Sequence, residues 1–532
     1  MFHNTMMSKI IEFFKLNRWA LLSGLLVGTS YTPFPCWALL FCYTPLWLWA
    51  TRSDVNLRQV FWGAWLTQFL LSLIGFHWVA FVTYEFGHIP WPLALIVLLL
   101  FCSLVHLYIP IALTLAVDCG RRLGLSQNWV LLLIPLFLNL MERFWPSLFP
   151  WHLGYPLYSS HIPIYQWADV VGFLGLSLLM LLSNSVLAIW WLNRKAWWLP
   201  TGLMLTLVIL TVGGVFHAKP WDQTDSTIPT LIVQGNIGNF EKEQAEQGQN
   251  FQEHIVNHFL DLTRKGAAEN PETQLIVWPE TAFPGNFDQR TLEFHYQQKV
   301  IQTLKSLKMR LITGSYSTEF NSQTGKSVSY NAMAFLDSNG ELSGPLYRKT
   351  HLLAYGEYLP LSETFPILLT WVPMIANFGR GQGPEVFSLN IKDHAVRWGP
   401  QICYEGLYPE FSRNLARLGS QIFVNITNDS WFGQPFEPSQ HMYMTFARAI
   451  ENRRPLIRST NTGISSVALA NGDIQQFSPL HESWTGRFDV AYLQNPPLTF
   501  FSKWGHFDAL FVLILILITL LIGYRNARIR RP

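Results

Sequence analysis

Charged side chains are scarce in this sequence. Asp, Glu, Lys and Arg make up 13% of its 532 residues, whereas roughly 25% is typical of soluble proteins. The deficit is uneven: charges are sparse from Trp19 to Val215 and from Phe507 to Tyr524, while Lys219 to Lys503 has an ordinary soluble composition. The sequence therefore predicts a protein embedded in a lipid bilayer that carries one large aqueous domain.

Basic patches and cysteine pairs are also missing. The net charge is only +3, with no concentrated basic patch, so nucleic acid is not an expected partner. Of five cysteines, Cys36, Cys42, Cys102 and Cys119 lie in or beside the apolar first part, and Cys403 is alone in the aqueous part. Cys403 therefore has no disulfide partner there and no second cysteine for a zinc site. We expect neither a metal nor a cofactor.

Long apolar runs predict about eight transmembrane helices, since a span needs roughly 20 apolar residues. They cover 19–33, 35–50, 59–81, 90–116, 127–145, 167–192, 197–216 and 506–524. No small-residue cleavage site follows the basic start of the chain, so the first helix is expected to be retained.

Positive charge sets the predicted orientation, because basic residues gather in cytoplasmic loops. Eight helices with a cytoplasmic amino terminus put every strongly basic loop inside: Arg52 and Arg58, Arg121 and Arg122, Arg194 and Lys195, and the tail after Tyr524. Three domains are predicted. Residues 1–217 form a membrane domain with seven helices, and residues 218–505 form an aqueous domain on the side of the membrane opposite the cytoplasm. Residues 506–532 form a last transmembrane helix with a basic cytoplasmic tail.

The segment Ser147–Gln166 is too rich in proline, aromatic and polar residues for a lipid-facing span. It is interpreted as an aromatic belt at the membrane interface, with Trp151 and His152 as candidate contacts to lipid head groups. The alternative is a re-entrant or interfacial loop that is buried by protein.

Strand-like and helical runs alternate in the aqueous domain. The runs 230–234, 274–278, 310–316 and 421–425 are rich in β-branched residues, with helical patterns over 251–262 and 291–307 between them. Hairpins are predicted over 331–342 and 465–474, with turns at Asn339-Gly340 and Asn471-Gly472. The mixture predicts a layered α/β or α+β sandwich with sheets inside and helices outside.

Three reactive residue types directly follow strand-like runs: Glu280 after LIVWP, Lys349 after GPLYR and Cys403 after GPQI. A cysteine at a strand-to-helix turn can act as a nucleophile that forms a thioester. A glutamate can accept and return its proton, and a lysine can stabilise the thiolate and a tetrahedral oxyanion. Taken singly, each has an ordinary alternative, namely a buried core cysteine, a surface glutamate and a solvated basic residue.

Longer motifs surround these residues: VWPETAFP (277–284), YRKTHLLAYGEYLP (347–360) and ICYEGLYPE (402–410). They resemble motifs of the nitrilase superfamily, and with the flanking apolar helices the chain resembles the apolipoprotein N-acyltransferases, a membrane-embedded bacterial family. The resemblance covers nearly the whole chain. Further similar segments are IVQGNI (232–237), FVNITNDSWFG (423–433) and RPLIRSTNTGISS (454–466).

The resemblance implies that Glu280, Lys349 and Cys403 form a catalytic triad in an α-β-β-α sandwich. It also implies a second acidic residue in the site, Glu357, and supporting roles for Tyr404 and Glu405, which follow the nucleophile. The alternative for Glu357 and Glu405 is that they hold loops by hydrogen bonds.

The resemblance further implies the substrates and the compartment. The acyl donor is a glycerophospholipid, with phosphatidylethanolamine expected, and the acceptor is the α-amino group of the diacylglyceryl-cysteine of an apolipoprotein. The implied location is the bacterial inner membrane, with multiple spans and a periplasmic catalytic domain.

The stretch Leu359–Phe378 is strongly apolar for an aqueous domain, but Pro360, Pro366 and Pro373 interrupt it. Prolines at this spacing argue against a regular core element. We interpret the stretch as an apolar substrate lid that includes Trp371 and Phe378, with glycines 379, 381 and 383 as hinges; the alternative is a core segment.

Two other functions fit parts of the sequence. A membrane-tethered amidohydrolase would release the thioester to water, although eight helices are an excessive anchor for a hydrolase of soluble substrates. An inactive nitrilase-like scaffold or transporter would not need all three triad residues, and the helices hold few ionisable groups for a transport pathway.

Overall fold

The computed structural model describes residues 2–85, 87–238, 249–287, 295–321, 325–367, 370, 377–392, 394–433 and 436–529. The chain divides into two compact units, Met1–His217 with Trp504–Pro532, and Ala218–Lys503. The first is helical, and the second contains both sheets.

The first unit consists of α-helices joined by short connections. They are α1 (Phe2–Gly28), α2 (Thr44–Ala50), α3 (Leu57–Gly75), α4 (Val79–Glu85), α5 (Trp91–Leu104), α6 (Tyr108–Arg122), α7 (Gln127–Phe144), α8 (Tyr155–Ser159), α9 (Ala168–Leu192), α10 (Trp198–Ala218) and, at the end of the chain, α16 (Asp508–Ile529). α3 begins with a capping box, in which Asn56 accepts from the backbone N–H of Gln59 and Gln59 accepts from that of Asn56.

Among the described residues, four helical segments are long and apolar enough to cross a membrane: Trp91–Arg122, Pro163–Leu192, Trp198–Asp222 and Phe500–Ile529. The pair α3 and α4, bent by 57°, is a fifth candidate. The chain is thus a membrane protein. Four or five spans are found by length and apolar composition among the described residues, so the predicted number of eight is not confirmed. The predicted span 35–50 is wrong as a continuous helix, because turns occupy its first part and only Thr44–Ala50 is helical.

The segment Ser147–Gln166 packs inside the helical unit. Trp151 is buried and stacks on Tyr31 with ring centroids 3.4 Å apart. His152 is also buried, and its Nδ1 lies 2.8 Å from Oε1 of Glu142. The expected aromatic belt, with Trp151 and His152 against lipid head groups, is therefore wrong here, and burial by protein is the correct alternative. Stacking and the carboxylate partner satisfy these rings inside the unit.

The second unit contains a six-stranded sheet in the order β11-β1-β2-β3-β4-β5. Its strands are β1 (Ser226–Gln234), β2 (Leu275–Val277), β3 (Arg310–Asn321), β4 (Lys326–Leu336), β5 (Tyr347–Arg348) and β11 (Trp484–Tyr492). β1 runs parallel to β2, with Thr230 opposite Leu275, and β2 runs parallel to β3. The other neighbours are antiparallel.

A five-stranded sheet has the order β10-β9-β8-β7-β6. It contains β6 (Phe387–Ile391), β7 (His394–Ile402), β8 (Ile422–Thr427), β9 (Leu456–Thr460) and β10 (Ser466–Ala468). The strands β7, β8 and β9 are parallel. β8 and β9 are buried along their whole length and β7 is buried from Trp398 onward, as expected for a parallel sheet covered on both faces. The two predicted hairpins occur as bridges between Leu336 and Leu342 and between Ala468 and Ile474.

Helices cover the outer faces of the two sheets. They are α11 (Gln249–Glu269), α12 (His295–Leu307), α13 (Pro409–Arg417) and α14 (Phe436–Asn452). The short helix α15 (Phe500–Trp504) follows them in the chain. Phe259 of α11 and Val300 of α12 join Leu231 and Ile276 of the first sheet in one buried core. On the opposite face Phe335 stacks on Phe387 of the second sheet. This arrangement confirms the predicted nitrilase-like α/β sandwich.

Candidate active site

Glu280 follows β2 and is buried. Its backbone lies tightly on the neighbouring strand β3, because a Cβ atom built on Gly314 would be 2.6 Å from Glu280 Cα and 2.4 Å from the backbone nitrogen of Thr281. Thr281 adopts a left-handed φ of 53°, which is uncommon for a β-branched residue. A glycine on β3 therefore allows the chain to turn sharply and aim the Glu280 carboxylate into the domain.

Lys349 follows β5, and its buried ammonium group lies between two carboxylates. Nζ is 2.8 Å from Oε1 of Glu357 and 3.3 Å from Oε1 of Glu280. Asn331 on β4 links the same two acids, since its Nδ2 donates to Glu280 at 2.6 Å and to Glu357 at 3.0 Å. The other oxygen of Glu357 accepts from the backbone N–H of Leu353 at 2.8 Å. The acids are held in place by donors, and a buried charge is tolerated when it is paired in this way.

Cys403 stands at the end of β7, where a 3-10 turn over Cys403–Leu407 leads to α13. Its φ of 50° lies in the left-handed region, a conformation that L-residues adopt at a cost. The thiol is free and buried. The strand end and the strained turn direct the side chain to the same end of the sandwich as Glu280 and Lys349, whose charges act on it.

Burial and the charge of Glu280 raise the pKa of Cys403 and so favour its protonated thiol. Burial raises the pKa of Cys403 above its ordinary value, the charge of Glu280 raises it further, and the charge of Lys349 opposes the shift. Burial alone would lower the pKa of Lys349, but Glu280 and Glu357 outweigh it and hold that pKa well above its usual range. These shifts favour the charged form of Lys349, and a thiol whose pKa is raised in this way would need a base in order to act as a nucleophile.

Glu405 joins the segment around Lys349 to the turn at Cys403. Oε1 accepts from the Tyr347 hydroxyl at 2.7 Å and from the backbone N–H groups of Thr350 at 2.6 Å and His351 at 3.2 Å. Oε2 accepts from the backbone N–H of Ile402 at 2.8 Å. These donors flank Lys349 on one side and Cys403 on the other, so the buried carboxylate fixes the distance between them.

The remaining predicted site residues fall in different places. Tyr404 is buried, with its ring edge-on to Tyr408 at 5.1 Å. Phe378 is partly buried, stacks on Tyr316 at 6.0 Å, and donates its backbone N–H to the Glu357 carbonyl at 3.0 Å. Trp371 lies outside the described residues. The proposed lid thus returns to the sheet beside Glu357.

The described first part of the lid stretch exposes apolar side chains. The exposed fractions are 67% for Leu361, 55% for Phe365 and 58% for Ile367. Two of the three predicted hinges are fixed by backbone hydrogen bonds: the N–H of Gly379 donates to the carbonyl oxygen of Ser329, and the N–H of Gly381 donates to the carbonyl oxygen of Lys349. The structure therefore favours an exposed apolar surface, but it does not favour hinging at these two glycines.

Asn331 and Tyr347 were not identified from the sequence. Asn331 directly precedes the apolar second half of β4, residues 332–336, which is a weak signal for a buried hydrogen-bonding role. Tyr347 lies within the motif around Lys349 but carries no reactive group at neutral pH. Their roles become visible only when the strands are paired.

Two family models and several known proteins are similar to this chain. Residues 232–485 match the carbon-nitrogen hydrolase family, and residues 23–186 match the apolipoprotein N-acyltransferase N-terminal domain. An apolipoprotein N-acyltransferase of Bdellovibrio bacteriovorus is 50% identical over 99% of this chain and 98% of its own. One of Geobacter metallireducens is 33% identical over 91% of each chain. Among solved structures, an amidase from Nesterenkonia sp. has a TM-score of 0.36 and 18% identity over 50% of this chain and 90% of its own.

Proposed function

This chain belongs to the apolipoprotein N-acyltransferase family of acyltransferases within the nitrilase superfamily, and from that premise we propose its substrates and its catalytic residues. It moves a fatty acyl chain from a glycerophospholipid, through a thioester on Cys403, to an apolipoprotein. The acceptor is the α-amino group of the amino-terminal S-diacylglyceryl-cysteine, and the donor is phosphatidylethanolamine. The observation that carries the proposal is the buried Lys349, held by Glu280 and Glu357 and acting on the thiol of Cys403.

In the first step Glu280 takes the thiol proton while the sulfur of Cys403 attacks the ester carbonyl of the phospholipid. The ammonium group of Lys349 stabilises the oxyanion that develops. When the tetrahedral intermediate collapses, the ester C–O bond breaks and the lysophospholipid oxygen takes the proton from Glu280. The product is a thioester on Cys403.

In the second step the neutral α-amine of the acceptor attacks the thioester. Glu280 accepts the proton that the nitrogen loses, the C–S bond breaks, and the proton returns to the sulfur of Cys403. The amide product leaves, and the enzyme regains its thiol. Glu357 does not exchange protons in this scheme; it neutralises and orients Lys349 at 2.8 Å.

The two steps can be separated by mass spectrometry. The purified full-length protein is incubated with phosphatidylethanolamine in detergent micelles, and its intact mass is measured before and after addition of a synthetic diacylglyceryl-cysteine peptide. We expect one acyl increment on Cys403, which the peptide removes. Cys403→Ser should gain no increment, because an alkoxide forms far less readily than a thiolate.

Cys119→Ser is the matched control, since Cys119 is also a free cysteine but lies in the helical unit. An increment of normal size on Cys403→Ser would refute the nucleophile. An increment that disappears in buffer as fast as with peptide would instead identify a hydrolase.

We also propose that the protein lies in the bacterial inner membrane with the catalytic domain in the periplasm. The supporting feature is the basic tail after Tyr524, which favours a cytoplasmic carboxyl terminus. A reporter fused after Pro532 should be active only inside the cell. A reporter active only outside would reverse the orientation.

A further inference from the structure

A buried hydrogen-bonded group lies next to the Cys403 turn. We call it the Asn425 network; its members are Asn425, Asp429, His441 and Arg458, each at most 2% exposed. Asn425 lies in β8 and Asp429 follows that strand, while His441 comes from α14 and Arg458 from β9. The chemical steps above use none of these residues.

Asn425 holds the turn directly. Its Nδ2 donates to the backbone carbonyl oxygen of Cys403 at 3.1 Å and to that of Gln401 at 3.3 Å. These two carbonyls flank Ile402, the residue that leads into the left-handed conformation of Cys403. A strained backbone persists only where its surroundings fix it, and one amide group that binds both carbonyls is such a constraint.

The rest of the network fixes the orientation of that amide. Arg458 donates from Nη1 to Oδ1 of Asn425 at 2.7 Å and from Nη2 to Oδ2 of Asp429 at 2.8 Å. A guanidinium group can only donate, so Oδ1 of Asn425 must face Arg458 and Nδ2 must face Cys403. His441 completes the chain with Nδ1 at 3.0 Å from Oδ1 of Asp429.

The same region contains residue types that bind metals. Ligand atoms of Asp429, Glu437 and His441 lie within 4.8 Å of one another. However, the guanidinium of Arg458 already supplies a positive charge at 2.8 Å from Asp429, and a divalent cation beside it would be repelled. A charge-balanced positioning network explains this cluster better than a cation site does.

We propose that Asn425, oriented by Arg458 and Asp429, is a positioning residue that holds the Cys403 nucleophile in its reactive conformation. It acts through the backbone and does not touch the substrate. The inference rests on the proposed role of Cys403 in acyl transfer. A nucleophile displaced by about 1 Å can lose about 100-fold in rate.

The test is Asn425→Ala in the full-length protein, with Asn452→Ala as the matched control. Asn452 is equally buried in the same domain, and its amide also donates to a backbone carbonyl, that of Arg448 at 3.1 Å, but it does not contact the Cys403 turn. The rate of acyl-enzyme formation is measured at several concentrations of phosphatidylethanolamine, per folded molecule, together with Tm.

We expect Asn425→Ala to lower the acylation rate at saturating phospholipid by about 100-fold, with little change in the half-saturating concentration. Asn452→Ala should acylate like the wild type per folded molecule. If Asn425→Ala is not folded, Arg458→Lys replaces it, because lysine keeps the charge beside Asp429 but loses the fork that also holds Asn425.

Other outcomes overturn the inference. Acylation per folded molecule that matches the control, or a loss confined to the half-saturating concentration, would refute positioning of the nucleophile by Asn425. Failure of the wild type to form an acyl-enzyme would instead refute the proposed function, so the two failures are distinguishable.

Discussion

Replacing Glu405 with glutamine tests whether one buried carboxylate holds the segment around Lys349 and the turn at Cys403 together. Its Oε1 accepts three hydrogen bonds, from Tyr347, Thr350 and His351, and its Oε2 accepts one from Ile402. All four partners are donors, so a carboxylate, which only accepts, suits the position. Glutamine has nearly the same shape, but one of its two terminal atoms is a donor.

The glutamine will place its oxygen where three donors meet and its NH₂ group against the backbone N–H of Ile402. Leaving that buried N–H unsatisfied costs about 1–3 kcal/mol, and the other three bonds lose the extra strength of a charged acceptor. Removing the buried charge returns part of its desolvation cost, since burial raises the pKa of Glu405 against the opposing hydrogen bonds. We therefore expect a net loss of about 1–3 kcal/mol in the free energy of unfolding.

For a domain of this size a loss of that order lowers Tm by roughly 3–10 °C. Thermal unfolding of the purified protein measures it, and intact mass measures acylation, which should also slow because Ile402 precedes Cys403 and Thr350 follows Lys349. Glu269→Gln is the control, since Glu269 is exposed at the end of α11. A Tm shift no larger than that of the control, with a normal acylation rate, would refute this role of Glu405.

Three further predictions concern the base, the packing beneath it and the lid. Burial, and then the charge of Glu280, raise the pKa of Cys403. The rate at which iodoacetamide alkylates Cys403 in the wild type, measured by peptide mass mapping, should therefore still increase with pH above pH 9. Glu280→Gln should lower that pKa and speed alkylation at pH 8 while slowing acylation by about 10²–10⁴-fold; parallel changes in both rates would contradict the base assignment. Gly314→Ala should lower the free energy of unfolding by about 1–3 kcal/mol and slow acylation, because its Cβ would lie 2.6 Å from Glu280 Cα. Gly344→Ala is the control, since its Cβ would meet nothing within 4 Å. Equal melting curves for the two variants would contradict this prediction. Phe365→Gln should leave Tm nearly unchanged but reduce the preference for long-chain over short-chain donors, since each buried CH₂ contributes about 0.8 kcal/mol; a large Tm loss with unchanged preference would identify a core residue.

The sequence predicted the elements of the aqueous domain well, because each depends on local pattern. The run 230–234 lies within β1, and 310–316 lies within β3. The predicted span at 35–50 failed because residues 37–43 form turns although they are largely apolar, and hydropathy alone does not distinguish an apolar turn from a helix. The belt at Ser147–Gln166 failed for a different reason: aromatic composition is the same at a lipid interface and in a protein interior, and only the partners of Trp151 and His152 distinguish the two.

The candidate site could be predicted in part because its reactive residues directly follow strands: Glu280 and Lys349 follow strands of the first sheet, and Cys403 follows a strand of the second. Glu280, Lys349 and Cys403 are therefore found by pattern and motif. Asn331 and Asn425 are not, because their importance lies in which carboxylate or carbonyl they reach across the sheets. No local property of an asparagine reports such a long-range contact.

The charge arrangement also bears on where this enzyme can work. If the catalytic domain faces the periplasm as proposed, Cys403 is a free cysteine in an oxidising compartment. Oxidation, like acylation, requires the thiolate, and burial together with the charge of Glu280 raises the pKa that controls its formation. Because Glu357 neutralises much of the Lys349 charge, the lysine does not by itself generate a standing thiolate. In the proposed mechanism the nucleophile forms by proton transfer to Glu280 when an ester is bound, so we expect the buried thiol to resist oxidation between turnovers.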